Sequence, residues 1–324
     1  MHTITVSDAV GQAVAEEMRR DPRVLMFGEG VATKRRDLLG EFGCERVRNT
    51  PLAEGIIAGT AAGACAMGLR PVVDLLFAPF LTLSMDAIIN SAGKLRYLSG
   101  GQFEFPMVVL TMTGAGWGVG GQHNHNLEAM FVHAPGLKVV MPSNAADFKG
   151  LLKAAIRDDN PVLFFMDLAL AHTPGDVPAG EHLVPLGRAD VVREGIDLTI
   201  VSYAKTVAHC LQAADTLSHH GIDAEVIDLR TLKPLDTATL LRSVRKTGRA
   251  MVVHEASGLC GVAAEVSALL AEHAFDALKA PVARVTGPDA PAAASWVLEQ
   301  AAVPQAPAIA ARAMELVDVE PVAA

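Results

Sequence analysis

Apolar positions along this chain fall into two alternating rhythms, short unbroken runs and stretches repeating every third or fourth residue. Val10, Ala13, Val14 and Met18 recur at helical spacing, so residues 4–20 read as a helix that Ser7 or Asp8 can cap. Val24 to Phe27 then forms a short apolar run closing at Gly28, as a buried strand followed by a loop does. The Ala- and Gly-rich stretch from Ile56 to Met67 suits a helix held close to a neighbour, and RPVVDLLF reads as the next strand. MDAIINSAGKLRYLSGG predicts a helix stopped by a glycine pair. PMVVLTMTGAGWGVGG repeats strand followed by Gly-rich loop, after which come the strand LKVVMPS, a helix through AADFKGLLKAAIRDDN and the strand PVLFFMD. A Pro-rich segment with little periodicity, Ala171 to Gly187, reads as a connection. Beyond it DLTIVSYA opens a second unit, with a helix to Leu217 and strands in AEVIDLRTLKPLD, RAMVVHEA and APVARVTGP. Strands alternating with helices predict an α/β fold built on parallel sheets. The expected division is a first domain over 1–175, a linker over 176–190, a second domain over 191–317 and a frayed Pro/Ala-rich tail over 318–324.

Composition sharpens this picture. A chain of 324 residues exceeds what one core usually serves, so two domains are expected. Hydrophobic residues at 51% against 19% charged fit buried parallel sheet or a large subunit interface. No apolar run approaches the roughly 18 residues of a membrane span, and MHTITVSDAV lacks the charged and apolar regions of a secretory signal. Cys44, Cys65, Cys210 and Cys260 are widely separated, form no metal-ligand spacing and fit a reducing cytoplasm. A net charge of -9 without a basic block argues against nucleic acid as partner.

In parallel α/β sheets ligands sit beyond the carboxyl ends of the strands. That rule singles out four loops: Gly28–Gly30, Thr50–Gly55, Phe77–Leu83 and Gly114–Asn126. Glu54 immediately precedes a long uncharged run. It is either a helix-start carboxylate favoured by the macrodipole or an acid held in a dry site for proton transfer. Glu29 carries the same two readings, with a supporting role favoured. His123 and His125 flank Asn124 after five closely spaced glycines, whose backbone can approach a ligand closely. A zinc site lacks further ligands at suitable spacing, and an HNH-nuclease reading rests on three letters without a basic surface. No GxxxxGK[ST] element is present.

These loops, in this order, resemble the β subunit of the thiamine-diphosphate-dependent E1 component of 2-oxo acid dehydrogenase complexes. The likeness is carried by DPRVLMFGEGV, RVRNTPLAEGIIAGTAAGACAMGLRPVVDLLFAPF, GGQH, HAPGLKVVMPS, AEVIDLRTLKPLD, GRAMVVHEA and RVTGPDAP, and runs from about residue 3 to 317. It implies a transketolase-like pyrimidine-binding domain followed by a transketolase C-terminal domain. It also implies thiamine diphosphate as cofactor, with Glu54 bonded to N1′ of the aminopyrimidine so that the 4′ nitrogen can take the C2 proton. A carboxyl with raised proton affinity suits that task. Phe80 stands where the family packs an aromatic ring near the aminopyrimidine, and Glu29 joins the cofactor side. His123 matches a histidine that donates a proton to the substrate carbonyl or the lipoyl sulfur. Met107, Ala155, Ile156, Asp158 and Asn160 match a structural potassium site of some relatives.

The GDG segment that holds Mg²⁺ and diphosphate in thiamine enzymes occurs nowhere in the chain. The resemblance therefore implies an α subunit supplying that half, an α2β2 tetramer, and a lipoyl-bearing E2 or carrier protein as acyl acceptor. Three departures stand out. Asn124 and His125 replace the usual Ser-Gln, the Gly30–Phe42 segment is short, and PAAASW replaces a stretch that often contains Pro-Tyr. They cluster on the substrate side, which makes His125 the substrate-side candidate and leaves the donor open among pyruvate, acetoin and branched 2-oxo acids. Two alternatives remain: a transketolase-like enzyme moving a two-carbon ketol unit from a ketose phosphate, and a non-catalytic scaffold subunit.

Overall fold

The computed structural model describes residues 1–318. Its first sheet has seven strands, in the order Thr231–Lys233, Lys138–Val140, Val162–Asp167, Val108–Thr113, Arg70–Phe77, Val24–Glu29 and Val47–Thr50. All neighbours are parallel except the first, Thr231–Lys233, which runs antiparallel to Lys138–Val140. The second sheet runs Ala283–Gly287, Ala250–Ser257, Leu198–Ser202, Ala224–Asp228 and Asp190–Arg193, the last antiparallel. Central strands such as VLFFMD are apolar on both faces because helices cover both sides.

Two apolar layers sandwich the first sheet. On one face the helices Val6–Arg20 and Ala145–Arg157 cover Met26, Val72, Leu110 and Phe164. On the other face lie Phe27, Val73, Val109 and Phe165, under the helix Glu54–Ala66. That second layer is continuous with Val201, Tyr203, Ile227 and Val252 of the second sheet, so the two halves share a core. Among the described residues no helix is long and apolar enough to cross a membrane.

Three elements differ from the sequence reading. The first helix starts at Val6, capped by Thr5, with Asp8 closing a capping box. Residues His2–Thr5 are instead a strand, because they pair antiparallel with Pro174–Val177 inside the Pro-rich connection. The segment Thr231–Lys233 leaves the second half of the chain to extend the first sheet. Asp318 closes the last helix, Ala306–Asp318, and the rest of the tail, 319–324, lies outside the described residues.

Gly28 shows how tightly the strand carrying Glu29 is seated. Its φ is +147°, and a Cβ there would stand 2.2 Å from the Asp74 carbonyl oxygen. Gly28→Ala is therefore expected to cost about 2–4 kcal/mol, read as a lowered denaturation midpoint with an unchanged far-UV spectrum.

Candidate active site

The parallel register brings every flagged loop to one edge of the first sheet. Glu29 closes the strand Val24–Glu29, and Glu54 opens the helix that follows Val47–Thr50. Phe77 ends its strand, and Asp167 ends Val162–Asp167. The end of the Phe77 strand is unusual. Leu76 adopts φ +55°, its amide donates to the Asp74 carboxylate at 2.9 Å, and the register with Val108–Thr113 shifts between Asp74 and Phe77. A left-handed leucine costs on the order of 1 kcal/mol, so tertiary packing holds it. The result turns Phe77 and the following Ala78–Ser84 turn toward the Gly-rich loop.

His123 is the point on which that turn converges. Its ring stands edge-on to Phe77 and to Phe80, both centroids 5.2 Å away. The helix led by Glu54 packs on the turn that carries Phe80. Glu54, Phe80 and His123 are thus linked through one turn, as the strand-end rule expects. Glu29 is buried, and its Oε1 has no protein partner. Burial is the main force pushing its carboxyl above the usual range, followed by the charges of Glu54 and Asp74, with Lys34 opposing. Glu54 lies close enough to share a hydrogen bond with it when one of the two is protonated. An unpartnered buried acceptor beside a second carboxyl fits a ligand that presents ring nitrogens or an amino group.

The two histidines part company. His125 is exposed and lines a cavity of about 340 Å³ with Asn126, Ser257, Asp289 and Pro291, all but Asn126 from the second half of the chain. Asn124 between them is buried and donates to Glu299 at 2.9 Å. The Asn124–His125 pair and the PAAASW segment therefore meet across one cavity wall.

Among the described residues no group of three or more His, Cys, Asp or Glu side chains is placed to hold a metal ion. The residues expected around potassium do lie together, where the helix Ala145–Arg157 ends and the strand Val162–Asp167 begins. The Met107 carbonyl accepts from Val162, the Ala155 carbonyl from Asp158, and those of Ile156 and Asp158 from Arg70. Lys138 pairs with the Asp158 carboxylate, and Asn160 also bonds to it. Each carbonyl keeps a second lone pair, but two protein cations already occupy the place, so the donor set fits potassium only in part.

Sequence reasoning missed a buried polar cluster under the Gly-rich loop. Lys205 reaches Glu255 and lies 3.7 Å from Asp167. Burial pushes the Asp167 carboxyl up to about 7, with Lys205 offsetting part of that and Glu255 adding to it. Burial works against the Lys205 charge, yet the two carboxylates outweigh it and hold its pKa above normal. Asp167 and Glu255 stand at the ends of PVLFFMD and RAMVVHEA, so the rule that flagged Glu29 could have found them.

Glu128 is fully buried and accepts from the Tyr203 hydroxyl at 2.7 Å. Burial drives its carboxyl up to about 7, against the pull of that hydrogen bond. The native state therefore holds a proton that the unfolded chain releases near pH 4–5, and stability falls as pH rises through about 7. Glu128→Gln removes this slope. Its stability relative to the parent should rise between pH 5 and 8 by on the order of 2 kcal/mol in denaturant titrations.

Comparison with known proteins places this architecture. Residues 2–171 match the transketolase pyrimidine binding domain, and residues 187–309 match the transketolase C-terminal domain. The chain is 43% identical to the acetoin:2,6-dichlorophenolindophenol oxidoreductase subunit beta of Cupriavidus necator, over 96% of each chain. It is 44% identical to the pyruvate dehydrogenase E1 component subunit beta of Rickettsia felis, over 93% of this chain and 94% of that one. A solved structure of a split gene transketolase, described as an inactive beta4 tetramer, superposes with a TM-score of 0.82 at 25% identity, covering 98% of this chain and 99% of that one. With both domain models matched in order and such identity sustained over nearly the whole chain, it belongs to the transketolase-like family of dehydrogenase E1 β subunits.

Proposed function

We propose that this chain is the β half of a thiamine-diphosphate-dependent enzyme that cleaves the bond beside the carbonyl of a 2-oxo acid or acetoin-like donor. It passes the acyl unit to a lipoyl group on a partner protein. The observation that carries this reading is the union of Glu29, Glu54, Phe80 and His123 at one sheet edge. The cofactor, when bound, supplies the carbon acid and electron sink that the side chains lack.

The chain's own residues bind, orient and move protons. Glu54 would hold the aminopyrimidine, and the carboxyl of Glu29 beside it, its proton affinity raised by burial, would support that contact. Phe80 presents an apolar wall, and Phe77 with Phe80 fixes the His123 ring. His123 gives a proton to the donor carbonyl or to the lipoyl sulfur. Magnesium and diphosphate binding fall to an α subunit carrying GDG, in an α2β2 assembly with a lipoyl-bearing E2 or carrier. The Arg70 contacts make potassium an optional structural ion at Met107, Ala155, Ile156, Asp158 and Asn160.

Relatives of nearly equal identity act under different donor names, so identity alone does not choose the donor. The test is turnover of the assembled α/β complex with pyruvate, acetoin, branched 2-oxo acids and ketose phosphates, with thiamine diphosphate and a lipoyl acceptor. Activity with one of the first three supports the reading. Activity confined to ketose phosphates overturns it in favour of ketol transfer.

A further inference from the structure

The loop that carries His123 has little stiffness of its own. Gly114, Gly116, Gly118 and Gly120 all take positive φ, at 84°, 150°, 63° and 76°. Such a run leaves many backbone states open unless other parts of the protein close them. The second half of the chain supplies the closure at two places. At the loop's start the Ala115 amide donates to Glu255 at 2.5 Å, while Lys205 donates to the Ala115 carbonyl at 2.6 Å. Near His123, Glu299 accepts from the Gly118 amide at 3.1 Å and from the Asn124 side chain at 2.9 Å. Packing agrees with this seating. A Cβ on Gly118 would stand 3.1 Å from the Ala294 carbonyl, and one on Gly121 would stand 3.2 Å from Pro291.

Glu299 sits on the helix Trp296–Ala302 and is 1% exposed. A buried carboxylate is costly unless several donors meet it, and both of its partners lie in this one loop. Asn124 adjoins His123 in sequence, and its own amide bonds to Gly120, as does that of His123. A shift of the Asn124 side chain is therefore transmitted to the His123 backbone. The Asn124 amide is long enough to reach Glu299.

We propose that Glu299 is a positioning residue for His123. It acts through Asn124 and Gly118 from the second half of the chain, with Lys205 and Glu255 pinning the loop's other end. This rests on the reading of His123 as the proton-donating histidine.

The experiment uses the assembled α/β complex and three variants. Glu299→Gln keeps the shape of the side chain but leaves two donors facing one remaining acceptor. Asn124→Ala removes one bond from the other side, and serves if Glu299→Gln fails to fold. The double variant Glu299→Gln with Asn124→Asp restores a donor–acceptor pair with the charge moved to the loop. Either single variant is expected to lower kcat roughly 10–100-fold and to change KM for the donor less than about 3-fold. Amide hydrogen exchange in residues 114–126 should speed up at least about 10-fold, with exchange elsewhere unchanged. The double variant should recover most of both effects. Unchanged loop exchange in both single variants overturns the proposal, whatever their activity. So does a double variant as impaired as Glu299→Gln alone, or a loss confined to KM. Because loop exchange needs no substrate, a failure of the donor assignment stays distinguishable from a failure of this proposal.

Discussion

Glu54→Gln is expected to reduce donor turnover by roughly 10²–10⁴-fold while the α/β complex assembles as before. Glutamine matches the volume of glutamate, so the start of the helix Glu54–Ala66 and its packing on the Ala78–Ser84 turn should persist. What it loses is the ability to hold and exchange a proton with a ring nitrogen. It also removes a negative charge beside Glu29, whose carboxyl burial and the neighbouring acids keep protonated above the usual pH range. Size-exclusion chromatography and steady-state kinetics on the same preparation check both halves of the expectation. A scaffold subunit would show no change in either. A helix-start role would leave turnover near the parent's and lower stability instead.

Lys205→Met should have the largest effect on stability. The substitution leaves buried Asp167 and half-buried Glu255 together without their cation. Breaking a buried pair by removing one partner costs about 3–5 kcal/mol, because the remaining charge is uncompensated. For a chain of this size that corresponds to a fall in Tm of roughly 4–7 °C. The pH dependence identifies the cause. Without Lys205 the Asp167 carboxyl, already raised by burial, holds a proton in the folded state that the unfolded chain has released. Stability then falls as pH rises from the ordinary carboxylate range toward and beyond 7. The deficit of Lys205→Met should therefore be small near pH 4 and large at pH 8. Adding Glu255→Gln and Asp167→Asn should return much of it, measured by thermal denaturation across that range.

The parts of the fold legible in the chain are those where local pattern and tertiary environment agree. Runs such as VLFFMD can only be buried strands once flanking helices cover both faces, and the strand-end rule then brings Glu29, Glu54, Phe80 and His123 to one edge. What stayed hidden depends on approach between distant segments. Ser7 and Asp8 are good caps by type, but pairing of His2–Thr5 with Pro174–Val177 moves the helix start so that Thr5 caps it. Nothing local tells Thr231–Lys233 to join the first sheet rather than the second. Glu299 carries no signal at all, since its meaning comes from Asn124, 175 residues earlier. His125 looked equivalent to His123 as a letter, yet the backbone turns the two rings toward different halves of the molecule.

The most direct test of the central claim is exchange of the C2 proton of thiamine diphosphate bound to the assembled α/β complex. It is followed by quenched-flow NMR in heavy water, with calorimetry to establish that cofactor is bound. The account predicts that the parent complex accelerates exchange over free cofactor, and that Glu54→Gln binds the cofactor but slows exchange at least about 100-fold. Equal exchange in the two complexes at full occupancy would contradict it.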